Sequence, residues 1–250
     1  MKCKQAKPLK GKLPHDHELA EVIAEAYHVF ACEKPSDPGV CDCCMDQRIR
    51  EHFFEPEIAE MPLHYLQDWY FAAIGDEFNQ HTWRYLLPRI LEVLASGETL
   101  AGVGIEVSLN RFPTGVEGNW RDEEWQVLDR FQRLFLRRAV LSYPECLDDV
   151  LCMLGIADWP LAGLFEQVLN CPSGDLAERF WKDWCQFPAP GVWVGSFWER
   201  SQEPEVYAFY RSYELYQKIA DLASKDQTPP ELAEKALAVA AVIEGEASWT

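Results

Sequence analysis

Residues that bind soft metals or react as nucleophiles are concentrated in the first third of this chain. All six histidines lie between His15 and His81, and five of the nine cysteines lie between Cys3 and Cys44. The chain contains no histidine after His81. We therefore expect any metal chemistry of this protein to take place near its N-terminus.

The candidate ligands are two residues at the end of a predicted helix and three in the loop that follows it: His28, Cys32, Cys41, Cys43 and Cys44. His28 and Cys32 are four residues apart, so they share one face of the helix. The loop carries a Pro- and Gly-rich turn at 35–39, which is placed to fold its cysteines back onto that face. Four ligands from this set suit tetrahedral zinc, which thiolate and imidazole bind well.

The spacing of these cysteines leaves other interpretations open. Only Cys41 and Cys44 have the two-residue gap of a zinc knuckle, and neighbouring cysteines such as Cys43 and Cys44 rarely reach one ion without strain. Reduced thiols that pack the loop against helices are the alternative, since free cysteine is among the most buried residue types. A redox role for Cys41 and Cys44 is a third interpretation, although nearby aspartates disfavour a thiolate.

No established catalytic motif accompanies the cysteines. A zinc deaminase needs His-x-Glu followed by Pro-Cys-x-x-Cys, and here Val40 precedes Cys41 and no His-x-Glu occurs. A zinc protease is excluded because His17-Glu18 lacks the second histidine. A nucleophile elbow, a phosphate loop and a dinucleotide fingerprint are also missing from the sequence. The sequence therefore favours a protein that acts by binding over an enzyme, without deciding the matter.

The hydrophobic periodicity is helical over almost the whole chain. Apolar residues recur at helical spacing, alternating strand patterns are scarce, and most links are short. The predicted helices cover residues 18–31, 46–54, 63–74, 77–95, 119–141, 145–154, 161–170, 175–185, 204–224 and 231–244. The sequence thus predicts an all-α fold, either an irregular multi-helix bundle or a solenoid-like stack of about ten helices.

The predicted domain organisation is a basic flexible tail at 1–15 followed by one helical domain at 16–250. The glycine-rich stretch at 98–119 is the weakest point of that domain and the candidate boundary within it. The length of 250 residues is at the upper limit of what one hydrophobic core usually organises.

The formal net charge of −18 is unevenly distributed. The first twelve residues hold five lysines and no acid, which leaves 18 basic and 41 acidic residues and a charge of −23 in 13–250. Such a body repels phosphate backbones, so nucleic acid is not an expected partner. It attracts basic proteins, and acidity for solubility alone is the simpler alternative.

The start of the chain does not resemble a secretory signal, because Pro14, His15 and Asp16 follow the lysines where an apolar region would stand. No apolar run approaches the roughly 18 residues that a membrane span needs. Nine cysteines without an export signal predict reduced thiols in the cytoplasm.

The first half of the chain resembles an uncharacterised bacterial all-helical family. In that family a tight cysteine cluster precedes a Pro-Leu helix, an aromatic-rich helix and a Leu-Pro-Arg helix. The corresponding residues here are Val40–Cys44, Met61–Leu66, Trp69–Ala73 and Tyr85–Glu92, with Trp125, Leu128 and Phe131 on a later helix. The resemblance implies a helical fold and a structural role for the cysteine segment, and it brings no activity.

Two functions therefore stand as expectations. The first is an acidic protein-binding module, of which an immunity-type protein that neutralises a basic toxin is one concrete version. The alternative is a zinc-binding protein that uses the cluster of His28, Cys32 and the three loop cysteines.

Overall fold

The prediction of an all-α fold is confirmed. The computed structural model describes residues 9–41, 43–73, 79–142 and 144–246, and these form eleven α-helices and no strand. The helices are α1 (Ala20–Val29), α2 (Gln47–His52), α3 (Leu63–Ala72), α4 (Gln80–Ala95), α5 (Asp122–Leu141), α6 (Leu147–Gly155), α7 (Leu161–Leu169), α8 (Ser173–Phe180), α9 (Glu203–Tyr210), α10 (Tyr213–Ala223) and α11 (Pro230–Glu246). Short 3₁₀ turns cover Ile58–Glu60 and Glu117–Asn119, and a π-turn covers Trp181–Cys185.

The chain divides into two compact units, Met1–Gln132 and Arg133–Thr250, and the division falls inside α5. The stretch at 98–119, where the sequence suggested a boundary, belongs to the first unit. Whether 16–250 behaves as one domain stays a prediction.

Helix α4 forms the core of the first unit. It is apolar on almost every side, and every residue from Tyr85 to Ala95 is buried, as expected of a helix without a solvated face. Pro88 lies inside this helix without ending it. α1 and the 3₁₀ turn at Ile58–Glu60 pack against α4.

Two buried charges in α4 hold the segments around it. Arg89 is fully buried and donates hydrogen bonds to the carbonyl oxygens of Lys10, Gly11 and Met61. It also pairs with Glu92 at 3.0 Å, and Glu92 accepts a 2.7 Å hydrogen bond from the Tyr27 hydroxyl. Because each charge is paired and hydrogen-bonded, its burial is tolerable. Residues 10 and 11 of the predicted tail are thus bound to α4, and residues 1–8 lie outside the described part of the chain.

The second unit is built around α11, which packs against α8, α10 and the π-turn. A buried polar residue in α6, Asp148, connects several of its segments. The buried Asp148 carboxylate accepts hydrogen bonds from the backbone N–H of Gly195 (2.6 Å), Trp198 Nε1 (3.1 Å) and the Tyr210 hydroxyl (2.8 Å). These bonds tie α6 to the loop before α9 and to the end of α9.

Two predicted helix boundaries are wrong, and local capping explains the first of them. The sequence suggested one helix over 204–224, but Ser212 has extended backbone and its hydroxyl accepts from the N–H of Leu215, so a new helix starts at Tyr213. Asn119 was expected to begin α5, yet it ends a 3₁₀ turn and the helix begins at Asp122.

Candidate metal centre

The cysteine segment lies on a turn whose two ends are fixed to the first unit. Before the turn, Asp37 Oδ1 accepts from the N–H of Gly39, which has a left-handed φ of 67°. The buried Trp69 donates its indole N–H to the Pro38 carbonyl at 3.0 Å. Arg50 donates to the Val40 carbonyl and forms an ion pair with Asp37. The backbone that enters the turn therefore has little freedom.

The far end of the turn is fixed by the start of α2. Met45 is buried, and the N–H of Asp46 donates to the Asp68 carboxylate of α3 at 2.8 Å. The Asp46 side chain in turn accepts from the N–H groups of Arg48 and Ile49, which makes it the N-cap of α2. Helix α2 has only six residues, so this cap matters for its start.

Between these anchors three thiols converge. We refer to Cys41, Cys43 and Cys44 as the thiol triad. Their sulfur atoms all lie within 4.8 Å of one another, and a backbone hydrogen bond from the N–H of Cys44 to the Cys41 carbonyl closes the turn. The Sγ atoms of Cys41 and Cys43 are 2.7 Å apart, and those of Cys43 and Cys44 are 3.5 Å apart. All three side chains are exposed.

These distances can be compared with those around a tetrahedral metal. A zinc–sulfur bond of about 2.3 Å puts two bound sulfurs about 3.8 Å apart. The Cys43–Cys44 distance is already close to that value, whereas Cys41 and Cys43 would have to separate by about 1 Å. Both side chains are exposed, so a small rotation about their side-chain bonds supplies this change. The strain expected from adjacent cysteines thus does not prevent Cys43 and Cys44 from facing the same point.

The hydrogen bond between two of the thiols changes their acidity in opposite directions. It is the largest influence on both: the pKa of Cys41 falls below its ordinary value, and the pKa of Cys43 rises to about 11. Donation of the Cys43 proton to the Cys41 sulfur explains both directions, because it stabilises a thiolate at Cys41. Of these two thiols, Cys41 is thus the first to become a thiolate, the form that binds metals.

The other two expected ligands lie elsewhere in the first unit. His28 is exposed on α1, and Cys32 lies in the electrostatic field of Arg84 and Glu124. Burial is the main reason why the pKa of Cys32 is raised. Among the described histidines, cysteines and acids, only the three thiols of the triad form a group of ligand atoms close enough to share one ion. Asp42 lies outside the described residues. The sequence placed five residues together, and the structure brings together three of them.

Sequence reasoning missed the residues that position the triad. The hydrogen bonds of Arg50, Asp68 and Trp69 join residues 10 to 31 positions apart, so no local pattern connects these side chains with the cysteines. Asp46 did carry a local signal. An aspartate immediately before a helical pattern is the usual N-cap, and it fixes where the loop ends.

The second unit exposes a separate apolar surface. The irregular segment 187–197 carries Phe187, Trp193 and Phe197, whose exposed fractions are 59%, 55% and 38%. Gly191 and Gly195 hold this segment through hydrogen bonds to the Trp184 carbonyl and the Asp148 carboxylate. The carboxylates of Glu246 and Asp149 lie beside these two glycines. Trp193 is therefore an exposed aromatic residue on a fixed backbone with acids on both sides.

The fold and the site define an all-α protein that presents three convergent thiols on a fixed, exposed turn. No family model, no curated protein and no solved structure matches the chain. Within the part of the chain that the structure describes, no helix is both long and apolar enough to cross a membrane.

Proposed function

We propose that this protein binds a soft metal ion, with zinc as the reference case, through the thiols of Cys41, Cys43 and Cys44. The convergence of the three sulfur atoms within 4.8 Å is the observation that carries the proposal. Thiolates select zinc, copper(I) and iron–sulfur clusters over hard cations. This chemistry needs reduced thiols, and a reducing cytoplasm supplies them.

The fixed backbone around the triad supports the same proposal. Bringing three mutually repelling thiolates together costs free energy unless the fold has already placed them. The bonds to Pro38, Val40 and Asp46 place them before any ion arrives. A loop whose cysteines served only as packing would bury them, whereas these three side chains are exposed.

Metal content tests the proposal. We expect protein that is purified without a histidine tag and dialysed against Zn²⁺ to retain one equivalent of zinc per chain. Elemental mass spectrometry measures the zinc content. The triple variant Cys41→Ser/Cys43→Ser/Cys44→Ser should retain none, because serine hydroxyls do not replace thiolates. Cys185→Ser, a half-buried cysteine of the second unit, is the matched control and should behave as wild type. Equal zinc content in wild type and the triple variant would rule the proposal out.

A second candidate function is recognition of a basic protein, and the surface around Trp193 favours it. Interfaces draw most of their energy from a few aromatic or arginine side chains, and charge complementarity selects the partner and speeds association. The net charge of −18 fits a cationic partner. An immunity-type protein that blocks a basic toxin in the cytoplasm is one form of this candidate.

Titration against basic proteins encoded next to this chain tests the second candidate. We expect a complex that weakens as NaCl rises, because salt screens the attraction. Trp193→Ala should weaken it by about 30-fold, the equivalent of a 2 kcal/mol hot spot. Leu237→Ala removes an apolar side chain of similar exposure in the same unit and should have little effect. A complex insensitive to both salt and Trp193→Ala would contradict this candidate.

A further inference from the structure

The triad differs from a closed structural zinc site in the way its ligands are arranged. Closed sites bring ligands from two separate segments, which surround the ion and leave it no open position. Here all three sulfurs come from one turn of four residues, closed by the hydrogen bond between the backbones of Cys41 and Cys44. Three ligands from one turn occupy one side of an ion, and the exposure of all three side chains leaves its other side toward solvent.

The carboxylates that the structure places around the turn are engaged in holding it. Asp37 accepts from Gly39 and pairs with Arg50, and Asp68 accepts from the N–H of Asp46. Asp46 caps α2. In the described part of the chain none of their oxygens joins the group of close ligand atoms. A metal on the triad therefore has three protein ligands and a fourth position that these carboxylates do not fill.

Building on the proposed metal binding, we propose that the triad is a three-thiolate centre whose fourth position is open to an external, neutral donor such as water or an imidazole. Three thiolates around a divalent ion carry a formal charge of −1, and the chain around them is itself strongly acidic. A further anion at the fourth position would meet repulsion, whereas a neutral nitrogen or oxygen would not. The ligand class is thus a neutral donor, which a histidine of a partner protein supplies as well as free imidazole does.

Cobalt(II) tests this inference because its visible spectrum reports the ligands around it. We expect wild type to bind one Co²⁺ with the intense visible bands of tetrahedral thiolate coordination. Titration with imidazole should shift these bands in a saturable manner. Acetate at matched ionic strength should leave them unchanged. Three single variants, Cys32→Ser, His28→Ala and Asp42→Asn, should keep both the affinity and the imidazole response.

The outcomes separate this inference from the proposed function. If wild type shows no tetrahedral cobalt spectrum, metal binding by the triad is wrong and the inference falls with it. If cobalt binds but imidazole leaves the spectrum unchanged, the metal proposal stands and the open position is wrong. A loss of affinity beyond tenfold in Cys32→Ser, His28→Ala or Asp42→Asn would identify that residue as the fourth ligand and likewise overturn the inference. An acetate response equal to that of imidazole would overturn the preference for a neutral donor.

Discussion

The thiols of this protein differ in acidity because their surroundings differ, and this predicts an order of reaction. In the metal-free protein Cys41 has a lowered pKa, whereas the pKa of Cys43 is about 11 and burial raises the pKa of Cys146 to about 12. As long as the pKa stays above the pH of the solution, each unit by which it falls raises the thiolate fraction about tenfold. The thiolate also becomes a weaker nucleophile as its pKa falls, but this effect is only about half as large on a logarithmic scale, with a Brønsted slope of about 0.4–0.5. The more acidic thiol should therefore react first.

We expect iodoacetamide, added in the presence of a chelator, to label Cys41 before Cys43 and before Cys146. Mass spectrometry of peptides taken at successive times measures the order. In a parallel reaction without chelator, Zn²⁺ added beforehand should slow labelling of Cys41 and leave labelling of Cys146 unchanged. Labelling of Cys43 ahead of Cys41 would contradict the direction of the hydrogen bond between them.

At the same scale, Tyr210 shows how one hydroxyl contributes to the second unit. Its side chain is fully buried and donates to the Asp148 carboxylate. Tyr210→Phe should cost about 1.5–3 kcal/mol of unfolding free energy, the usual range for a hydrogen bond to a charged group. Urea unfolding measures the loss. Tyr207→Phe in the same helix, where the tyrosine is partly exposed, should stay within about 0.5 kcal/mol of wild type.

Helix α2 connects the fold to the candidate site, because its N-cap ends the cysteine turn. Asp46→Ala removes the cap and should cost about 1 kcal/mol of helix stability, whereas Asp46→Asn keeps it. Because a loosened turn presents its thiols less favourably, we expect Asp46→Ala to weaken zinc binding by about tenfold and Asp46→Asn to leave it near wild type. Competition with a chromogenic chelator measures both. Equal weakening by the two substitutions would indicate that Asp46 binds the metal directly.

The pairing of α4 with the first turns of α5 makes the first unit sensitive to acid. Burial alone would raise the pKa of Glu124, but hydrogen bonds from the Arg121 backbone and from the Arg121 and Arg84 side chains outweigh it and lower the pKa. A carboxyl whose pKa is lower in the folded state contributes stability that is complete above its unfolded pKa. This contribution is lost as the pH falls through the folded value.

Glu124→Gln should accordingly lower the urea midpoint at neutral pH and flatten the loss of stability below pH ~4.3, the ordinary glutamate value. Urea midpoints measured at neutral pH and at a series of acidic pH values test both the loss of stability and the weaker acid dependence. Glu123→Gln changes the exposed neighbour and should leave the acid dependence as in wild type. An acid dependence of Glu124→Gln identical to that of wild type would contradict the role of this ion pair.

At the scale of the whole molecule the dominant property is charge. The chain has a net charge of −18, so its excess acidic groups repel one another in the compact state. Salt screens this repulsion, because the Debye length falls from about 30 Å at 0.01 M to about 8 Å at 0.15 M. We expect the thermal midpoint to rise when NaCl increases over that range, as followed by circular dichroism. A fall in the midpoint would show that attractive ion pairs, such as Arg89–Glu92, outweigh the net repulsion.

The sequence by itself determined the helical class and the part of the chain that holds the candidate site. Helical periodicity is a local property, visible within three or four turns, and the enrichment of cysteine before residue 45 is a matter of composition. A local signal was also present at Asp46, where the predicted helix begins at the residue that caps α2. A comparable signal at Ser212 was present but was masked by the strong apolar pattern on both sides of it.

Only the tertiary structure decided which of the five candidate ligands meet. Cys41, Cys43 and Cys44 converge because one short turn carries them, whereas Cys32 is placed by the burial of its own segment near Arg84 and Glu124. The bonds of Asp148 join residues 47 to 62 positions apart. Such contacts follow from how helices pack, since a buried polar group must find its partner wherever the fold brings one, and no spacing in the sequence specifies that partner in advance.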